Sequence, residues 1–427
     1  MRVLYIGRAC PSKHTSYPTF SGHSLADNKA ENALIESLLG CYAGRLTVFS
    51  AAAYAPASER EWTAEGLEVQ TLDSGVKALC VGHRRSGSGV LSKCFSLFRE
   101  AYTVTRRVIA WIRCARRQNP TQAFAIIVFT PHLALSLGAL LGKLFYRVPF
   151  FIFLVAAPVR PEASGLRRLW DHFSLLPLRC CDGAITYVPR AAQDYTRKPF
   201  FQLLYTLTEK DMAAARAAKP TKPLDPCGLV RLAYTGALVE RTGVLLMLET
   251  MRLLPARYTL TICGNGELAG QVRRAQQEMP DRLHYRGAVT NQEAMRAQRE
   301  ADILLSLRPT EGKDNAYYAT YAASGKLTEY LLSGVPVVAN RIPAIPEELA
   351  CFLELTQECA PQAVADAIQR IATEPAAHVE ALERAAAGQR YIIEHATIQA
   401  QGRLLAAFLA RVHTKADRRS HQGDSMC

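Results

Sequence analysis

The sequence predicts an α/β protein of two doubly wound, Rossmann-like α/β/α domains that face each other, with a C-terminal helix crossing back to the first. Three observations predict it. Short apolar strands alternate with helical patterns through the first half, the stretch "AAARAAKPTKPLDPCG" (Ala213–Gly228) interrupts them with three prolines, and the alternation then resumes. A length of 427 residues also exceeds a usual single domain, so two cores are expected.

The elements follow in chain order. Runs of branched and aromatic residues mark strands at Arg2–Ile6, Arg45–Phe49, Leu67–Leu72, Ala123–Phe129, Phe150–Val155 and Gly183–Tyr187, with a helix near Ala26–Leu39 after the first. Beyond the break, strands Leu229–Tyr234, Tyr258–Cys263, Leu283–Arg286, Ile303–Leu307 and Val335–Ala339 alternate with helices Val244–Leu254, Leu268–Met279, Gln292–Ala301 and Pro361–Ala372. One last long helix is expected over Ala377–Val412. The implied domains are 1–205, a linker over 206–228, a second domain over 229–395, a returning helix over 396–413 and a loose polar tail over 414–427.

Charge is uneven. Residues 1–200 hold 25 Lys and Arg against 13 Asp and Glu, whereas the rest hold 26 against 25. Within the first half, Lys77–Pro120 carries ten basic residues and one acid, Glu100. Much of this segment reads as one helix, with Leu91, Phe95, Phe98, Tyr102, Ile109 and Ile112 as a core stripe and Arg99, Arg106, Arg113 and Arg117 on another face. Such a helix suits an anionic membrane surface, or simply a solvated basic face. Nucleic acid is not expected, because the aromatics read as core rather than as a stacking platform.

The apolar region Leu133–Ala157 is interrupted by Lys143, Arg147 and Pro149, and Met1–Gly7 already reads as a strand rather than a signal peptide. Twelve cysteines without a CxxC suit reduced thiols and a cytoplasmic protein, peripheral on the inner face of the membrane if the basic segment binds there. No metal is implied, since His14, His23, His132 and His172 lack ligand spacing and no DxD follows a strand. No other cofactor is expected either.

Candidate chemistry gathers around "ASGKLTEYLLSGVPVVAN" (Ala323–Asn340). Leu327, Tyr330 and Leu331 repeat at core spacing, while Lys326, Glu329 and Ser333 share another face. Ser324 is a candidate N-cap and Gly334 a C-terminal stop. A helix entrance beside the carboxyl ends of parallel strands favours anions, so a phosphate site is the expectation, against a plain surface Lys–Glu pair. A P-loop is excluded, because Thr320 and Leu327 stand where its first Gly and its Ser or Thr belong. "CGNGELAG" (Cys263–Gly270) offers Gly264, Gly266 and Gly270 after a strand, a weak variant of the dinucleotide fingerprint in the wrong βα unit.

The segments "RLAYTGALVERTGVLLMLETMRLL", "YTLTICGNGEL", "LHYRGAVTNQEAM", "ADILLSLRPT" and "SGKLTEYLLSGVPVVAN" stand in the order and spacing of the donor domain of retaining, family 4 type glycosyltransferases of the GT-B fold, which the chain resembles from Leu229 to about Leu349. The resemblance implies that Glu329 holds the nucleotide ribose hydroxyls, that Gly236 turns beneath the diphosphate, and that Gly264 and Gly266 line the same crevice. It also implies that Ala288 and Val289 meet the base, and that Lys326 and Leu327 belong to the donor-binding helix entrance. On the acceptor side it implies Gly22 and His23, in "SGHSLADNKAENALIESL".

Departures from the family pattern are Ala237, Thr242 and Tyr321, where Arg, Lys and the first of two glutamates are common. Arg241, Lys326 or Arg308 would then supply charge, and Glu311 (or Asp314) the carboxylate, which makes Glu311, Arg241 and Lys326 the catalytic candidates. The expected function is transfer of a sugar from a nucleotide sugar to a glycan or polyprenyl-linked glycan acceptor in bacterial envelope or exopolysaccharide biosynthesis. A non-catalytic sugar-nucleotide or glycan-binding protein and a nucleotide-sugar epimerase remain the alternatives.

Overall fold

The computed structural model describes residues 1–11, 25–51, 61–62, 68–81, 90–158, 175–207, 212–213, 215, 228–323 and 325–423. The chain divides into two compact units, Met1–Tyr205 with Ile398–Cys427, and Thr206–Thr397. Each is an α/β unit around its own largely parallel sheet.

Among the described residues the first unit has nine strands: β1 (Arg2–Gly7), β2 (Leu46–Ser50), β3 (Glu61–Trp62), β4 (Glu68–Thr71), β5 (Lys77–Cys80), β6 (Phe124–Phe129), β7 (Phe150–Leu154), β8 (Gly183–Thr186) and β9 (Phe200–Gln202). Their order is β3-β4-β5-β2-β1-β6-β7-β8-β9. β6 and β7 are buried throughout, as expected of parallel strands covered on both faces. Two departures from the expected all-parallel sheet sit at one edge. Lys77–Cys80, assigned above to the basic segment, is a strand that pairs parallel with β2 and antiparallel with β4, and β3 adds an antiparallel rim. The hairpin turn at Asp73–Gly75, with Gly75 at φ 79, makes that reversal.

Helices α1 (Leu25–Tyr42), α2 (Val90–Gln118), α3 (Leu133–Tyr146), α4 (Leu176–Cys180) and α5 (Pro189–Tyr195) cover this sheet. The basic helix α2 is turned about its axis relative to expectation. Its buried line is Glu100, Val104, Val108, Ile112 and Ala115, and of the anticipated stripe Ile112 is core while Phe95, Phe98 and Tyr102 are exposed; the side chain of Leu91 lies outside the described residues. Packing is the reason. A Cβ on Gly138 would stand 3.0 Å from Val108 and one on Gly142 2.9 Å from Ile112, so α3 approaches too closely for large rings.

The second unit contains β10 (Val230–Thr235), β11 (Tyr258–Cys263), β12 (Leu283–Gly287), β13 (Ile303–Ser306), β14 (Val337–Asn340) and β15 (Glu354–Thr356), in the order β12-β11-β10-β13-β14-β15, all parallel. The order reverses between β10 and β13, the place where open α/β sheets bind ligands. Its helices are α6 (Val244–Leu253), α7 (Ala269–Glu278), α8 (Asn291–Glu300), α9 (Lys313–Tyr321), α10 (Gly325–Ser333), α11 (Glu347–Ala350), α12 (Pro361–Thr373) and α13 (Pro375–His395). The helix at 313–321 is not among those expected from the sequence. It buries only Ala319, too little apolar surface to show as a periodic stripe.

The expected single helix over Ala377–Val412 is two, α13 and α14 (Ile398–Gly423), parted at Ala396 and Thr397 where Leu207 N–H donates to Ala396 O at 3.2 Å. α14 belongs to the first unit and continues as helix to Gly423, well into the segment read as loose tail. There Phe408 packs on Phe151 and Phe201, with ring centroids 5.8 Å apart in both cases. A Cβ on Gly402 would stand 2.3 Å from Ser37 O of α1, so the two helices touch backbone to backbone. Among the described residues no helix is long and apolar enough to cross a membrane.

That contact makes two helical glycines opposite in sign. Alanine is better than glycine in a helix by about 1 kcal/mol, and Gly40 has nothing within 4 Å of its would-be Cβ, so Gly40→Ala raises unfolding free energy by up to that amount. Gly402→Ala lowers it by roughly 1–3 kcal/mol through overpacking. Chemical denaturation of the two variants checks the pair, and a stabilised Gly402→Ala refutes the contact.

Candidate functional site

The candidate site lies at the carboxyl ends of β10, β11 and β12, beside the entrance of α10. Gly236 follows β10 and donates its N–H to Cys263 O at 2.7 Å; Gly264 follows β11 and donates to Gly287 O at 2.7 Å. A Cβ on Gly264 would fall 1.7 Å from Gly236 O, and one on Gly266 2.4 Å from Leu238 O. Side chains there are impossible, so the turns nest on one another and leave bare backbone.

Tyr330 places α10 against this crevice. Fully buried, its hydroxyl accepts the Thr235 N–H at 2.9 Å and donates toward Thr235 O at 3.3 Å. Gln298 of α8 donates to Thr235 Oγ1 at 2.8 Å. The polar end of β10 is thereby satisfied inside the core, and its register against α10 is set. Leu327, Thr328, Leu331 and Leu332 bury the rest of the apolar face, as the helical spacing implied. Ser324, the candidate N-cap, lies outside the described residues.

Lys326 is the second residue of α10. Its Nζ is shut off from solvent, has no hydrogen-bond partner, lies 5.1 Å from the centre of the Tyr234 ring, and occupies the space a Cβ on Gly236 would need. Burial lowers its pKa to about 8; Arg308 pushes the same way, while Glu329 opposes both. Glu329, half-buried one turn along the same face, is thus its electrostatic counterpart. An unpaired ammonium at the positive end of a helix is unfavourable by itself. A bound anion would satisfy it.

Around it, the Gly236–Gly243 loop is closed by hydroxyls. Tyr234 OH donates to Ala237 O at 2.8 Å, and Thr242 Oγ1 lies 2.8 Å from Ala237 O and 2.7 Å from Val239 O. Burial raises the Tyr234 pKa, offset by Thr242, Arg308 and Arg241. Arg241, in a 3-10 turn at Glu240–Thr242, is exposed and sets its guanidinium 4.7 Å from the centre of the Tyr318 ring on α9. Arg308 is committed elsewhere. Its guanidinium donates to the carbonyls of Tyr318, Ala322 and Ala323, closing the C-terminal end of α9, and its backbone is held by Asn340 through two 2.8 Å bonds.

Glu311 is exposed before Gly312, and the Cys359 thiol is raised by burial and then by the Glu311 charge; the charges that act on Lys326 are those of Glu329 and Arg308. The structure therefore brings Gly236, Gly264, Gly266, Lys326, Leu327 and Glu329 together, but does not join Glu311 to them. Asp314 is exposed in the first turn of α9. Tyr321, at the first-glutamate position, is in an aromatic cluster with Tyr317 at 5.5 Å. Ala288 and Val289 form the turn after β12, fixed by Thr290, whose N–H donates to Glu293 Oε2 at 2.8 Å. Gly22 and His23 lie outside the described residues. Sequence reading missed Tyr234 and Tyr285, whose hydroxyl donates to Gly264 O at 3.0 Å. Their signal was a tyrosine two residues before a strand-end glycine, Gly236 and Gly287.

The Lys326 charge makes a stability prediction. Its folded pKa lies below the ordinary 10.5, so between about pH 8 and 10.5 the unfolded state binds more protons and stability rises with pH. Lys326→Met should raise stability at neutral pH by roughly 1–3 kcal/mol and abolish that rise. Thermal denaturation across pH checks both, and a destabilised variant with the same pH profile refutes the enclosed charge.

Residues 230–374, which include the whole second sheet and the crevice described above, match the family model Glycosyl transferases group 1. No curated protein matches the sequence. Among solved structures, an α,α-trehalose 6-phosphate synthase from Burkholderia multivorans superposes with a TM-score of 0.64 at 13% identity, over 98% of this chain and 99% of that one. HepE of Anabaena in complex with UDP superposes with a TM-score of 0.61 at 12% identity, over 96% of this chain and 100% of that one. At such identities the likeness establishes the fold, while the family match bears on the chemistry. Residues 230–374 thus carry a Glycosyl transferases group 1 match within a chain that has the fold of these two structures.

Proposed function

We propose that the chain is a retaining transferase that moves a sugar from a nucleotide sugar to a glycan or lipid-linked glycan acceptor in bacterial envelope or exopolysaccharide assembly, working at the cytoplasmic face of the membrane. The carrying observation is the enclosed, unpaired Lys326 ammonium against the bare backbone of Gly236. A diphosphate is the anion that fits a glycine crevice at a helix entrance. HepE structures that hold UDP or UDP-glucose support this donor class. The excess basic charge of 77–120 supports a membrane-borne acceptor.

Each site residue then has a role. Lys326 neutralises the departing diphosphate, Glu329 takes the ribose hydroxyls, and the turn at Ala288 and Val289 meets the base. Arg241, exposed beyond the closed loop, supplies the second cation. Glu311 reaches the sugar only if the 308–312 loop moves. In the reaction the bond from the anomeric carbon to the phosphate oxygen breaks as the acceptor hydroxyl forms its bond on the same face. Its proton passes to the departing phosphate. No enzymic nucleophile is needed; orientation and preorganised positive charge carry the rate.

The test is a calorimetric panel of UDP, GDP, ADP and their common sugars. One nucleotide should bind, and Glu329→Ala should weaken it by roughly 1.5–3 kcal/mol, as for a lost charged hydrogen bond. Because a bound diphosphate favours the protonated Lys326, affinity should fall as pH rises through about 8, by up to about tenfold per pH unit. Lys326→Met should flatten that profile. Failure of every nucleotide to bind would overturn the donor reading, and an unchanged Kd in Glu329→Ala would overturn the ribose placement.

A further inference from the structure

The exposed face of α2 was anticipated as arginines alone. Phe95, Phe98 and Tyr102 are 71%, 81% and 65% exposed, an unusual state for three large rings on one helix. At helical spacing, positions 95, 98, 99, 102, 106 and 113 fall within an arc of about 100° opposite the buried line. Rings and arginines therefore share one surface, since Arg99, Arg106 and Arg113 are exposed as well. The helix's sole acid, Glu100, points inward at 8% exposure with Arg8 Nη2 at 3.5 Å. No carboxylate of α2 offsets the outward charge. The band runs about 27 Å along the axis from Phe95 to Arg113. At its far end Arg113 donates to the Tyr146 hydroxyl at 2.7 Å, next in the chain to Leu144 and Phe145, each 70% exposed.

We propose that this face of α2 is a bilayer-contact surface for anionic lipid, with Phe95, Phe98 and Tyr102 seated among the headgroups and acyl ends and the arginines on lipid phosphates. Charge complementarity selects the occupant. A second copy of the chain would set the same basic face against itself, and the rings lie one helical turn apart on a convex surface, without the groove that single-stranded nucleic acid follows. The surface deepens the reading of a membrane-borne acceptor and rests on it for its purpose, while its physical basis is independent of the donor site.

The experiment is flotation of the full chain with phosphatidylcholine vesicles, with and without phosphatidylglycerol, at physiological salt. The variants are a Phe95→Ser, Phe98→Ser, Tyr102→Ser triple and an Arg99→Glu, Arg106→Glu double; nucleotide affinity, measured separately, shows that each is folded and that the donor site is untouched. Wild type should float with anionic vesicles alone, and each variant should lose at least about tenfold in partition. Equal binding to neutral vesicles, unaltered variants, displacement by a single-stranded oligonucleotide, or a ring-dependent dimer in light scattering without flotation would each overturn the proposal. Flotation as expected without nucleotide binding would sink the donor reading alone.

Discussion

The second unit of this protein depends on one hydroxyl. Tyr330 takes both backbone polar groups of Thr235, one residue before the glycine turn, and so ties the last residue of β10 to α10. Both partners are buried, which makes the bond a register constraint: a shift of α10 by one residue would leave the Thr235 N–H and carbonyl unpaired in the core, each at roughly 1–3 kcal/mol. With the register set, Lys326 is carried to the underside of Gly236 and Glu329 to the same face. The site follows from a strand end and a helix entrance held at one height.

Charge in the crevice is unusually economical. On the loop after Gly236, Thr242 and Tyr234 use hydroxyls to close it on its own carbonyls. Arg308 is spent on the end of α9 and Arg241 on the face of Tyr318. What remains enclosed is one ammonium, drawn down to about 8 by burial. A charge in a low-dielectric surrounding interacts more strongly than one in water, so this ammonium is the strongest electrostatic feature of the crevice. Such an enclosed charge is unfavourable for the fold, as is common at functional sites.

The first unit pairs a buried sheet with an outward helix face of opposite logic. Val108 and Ile112 meet α3 at two glycines, and this close approach rotates the larger rings of α2 to the outside. Burying three aromatic side chains gains several kcal/mol; leaving them exposed is therefore a standing driving force for contact with an apolar phase. The same rotation turns Glu100 inward onto Arg8.

The sequence by itself determined what is periodic or local. Alternating strands and helices in both halves, the glycines after β10 and β11, and the shared face of Lys326 and Glu329 all follow from spacing along the chain, and the structure has them within a residue or two. Tertiary structure decided what depends on neighbours distant in sequence. The enclosure of Lys326 requires Tyr234 and Gly236, the helix at 313–321 requires Arg308 to hold its end, and the break at Ala396 requires Leu207. The buried side of α2 could not be read from hydrophobicity, because residue size at a close helix contact, rather than apolarity, chose Val and Ala over Phe and Tyr. Local pattern carries the backbone's preferences; partner choice and close packing are set only when the elements meet.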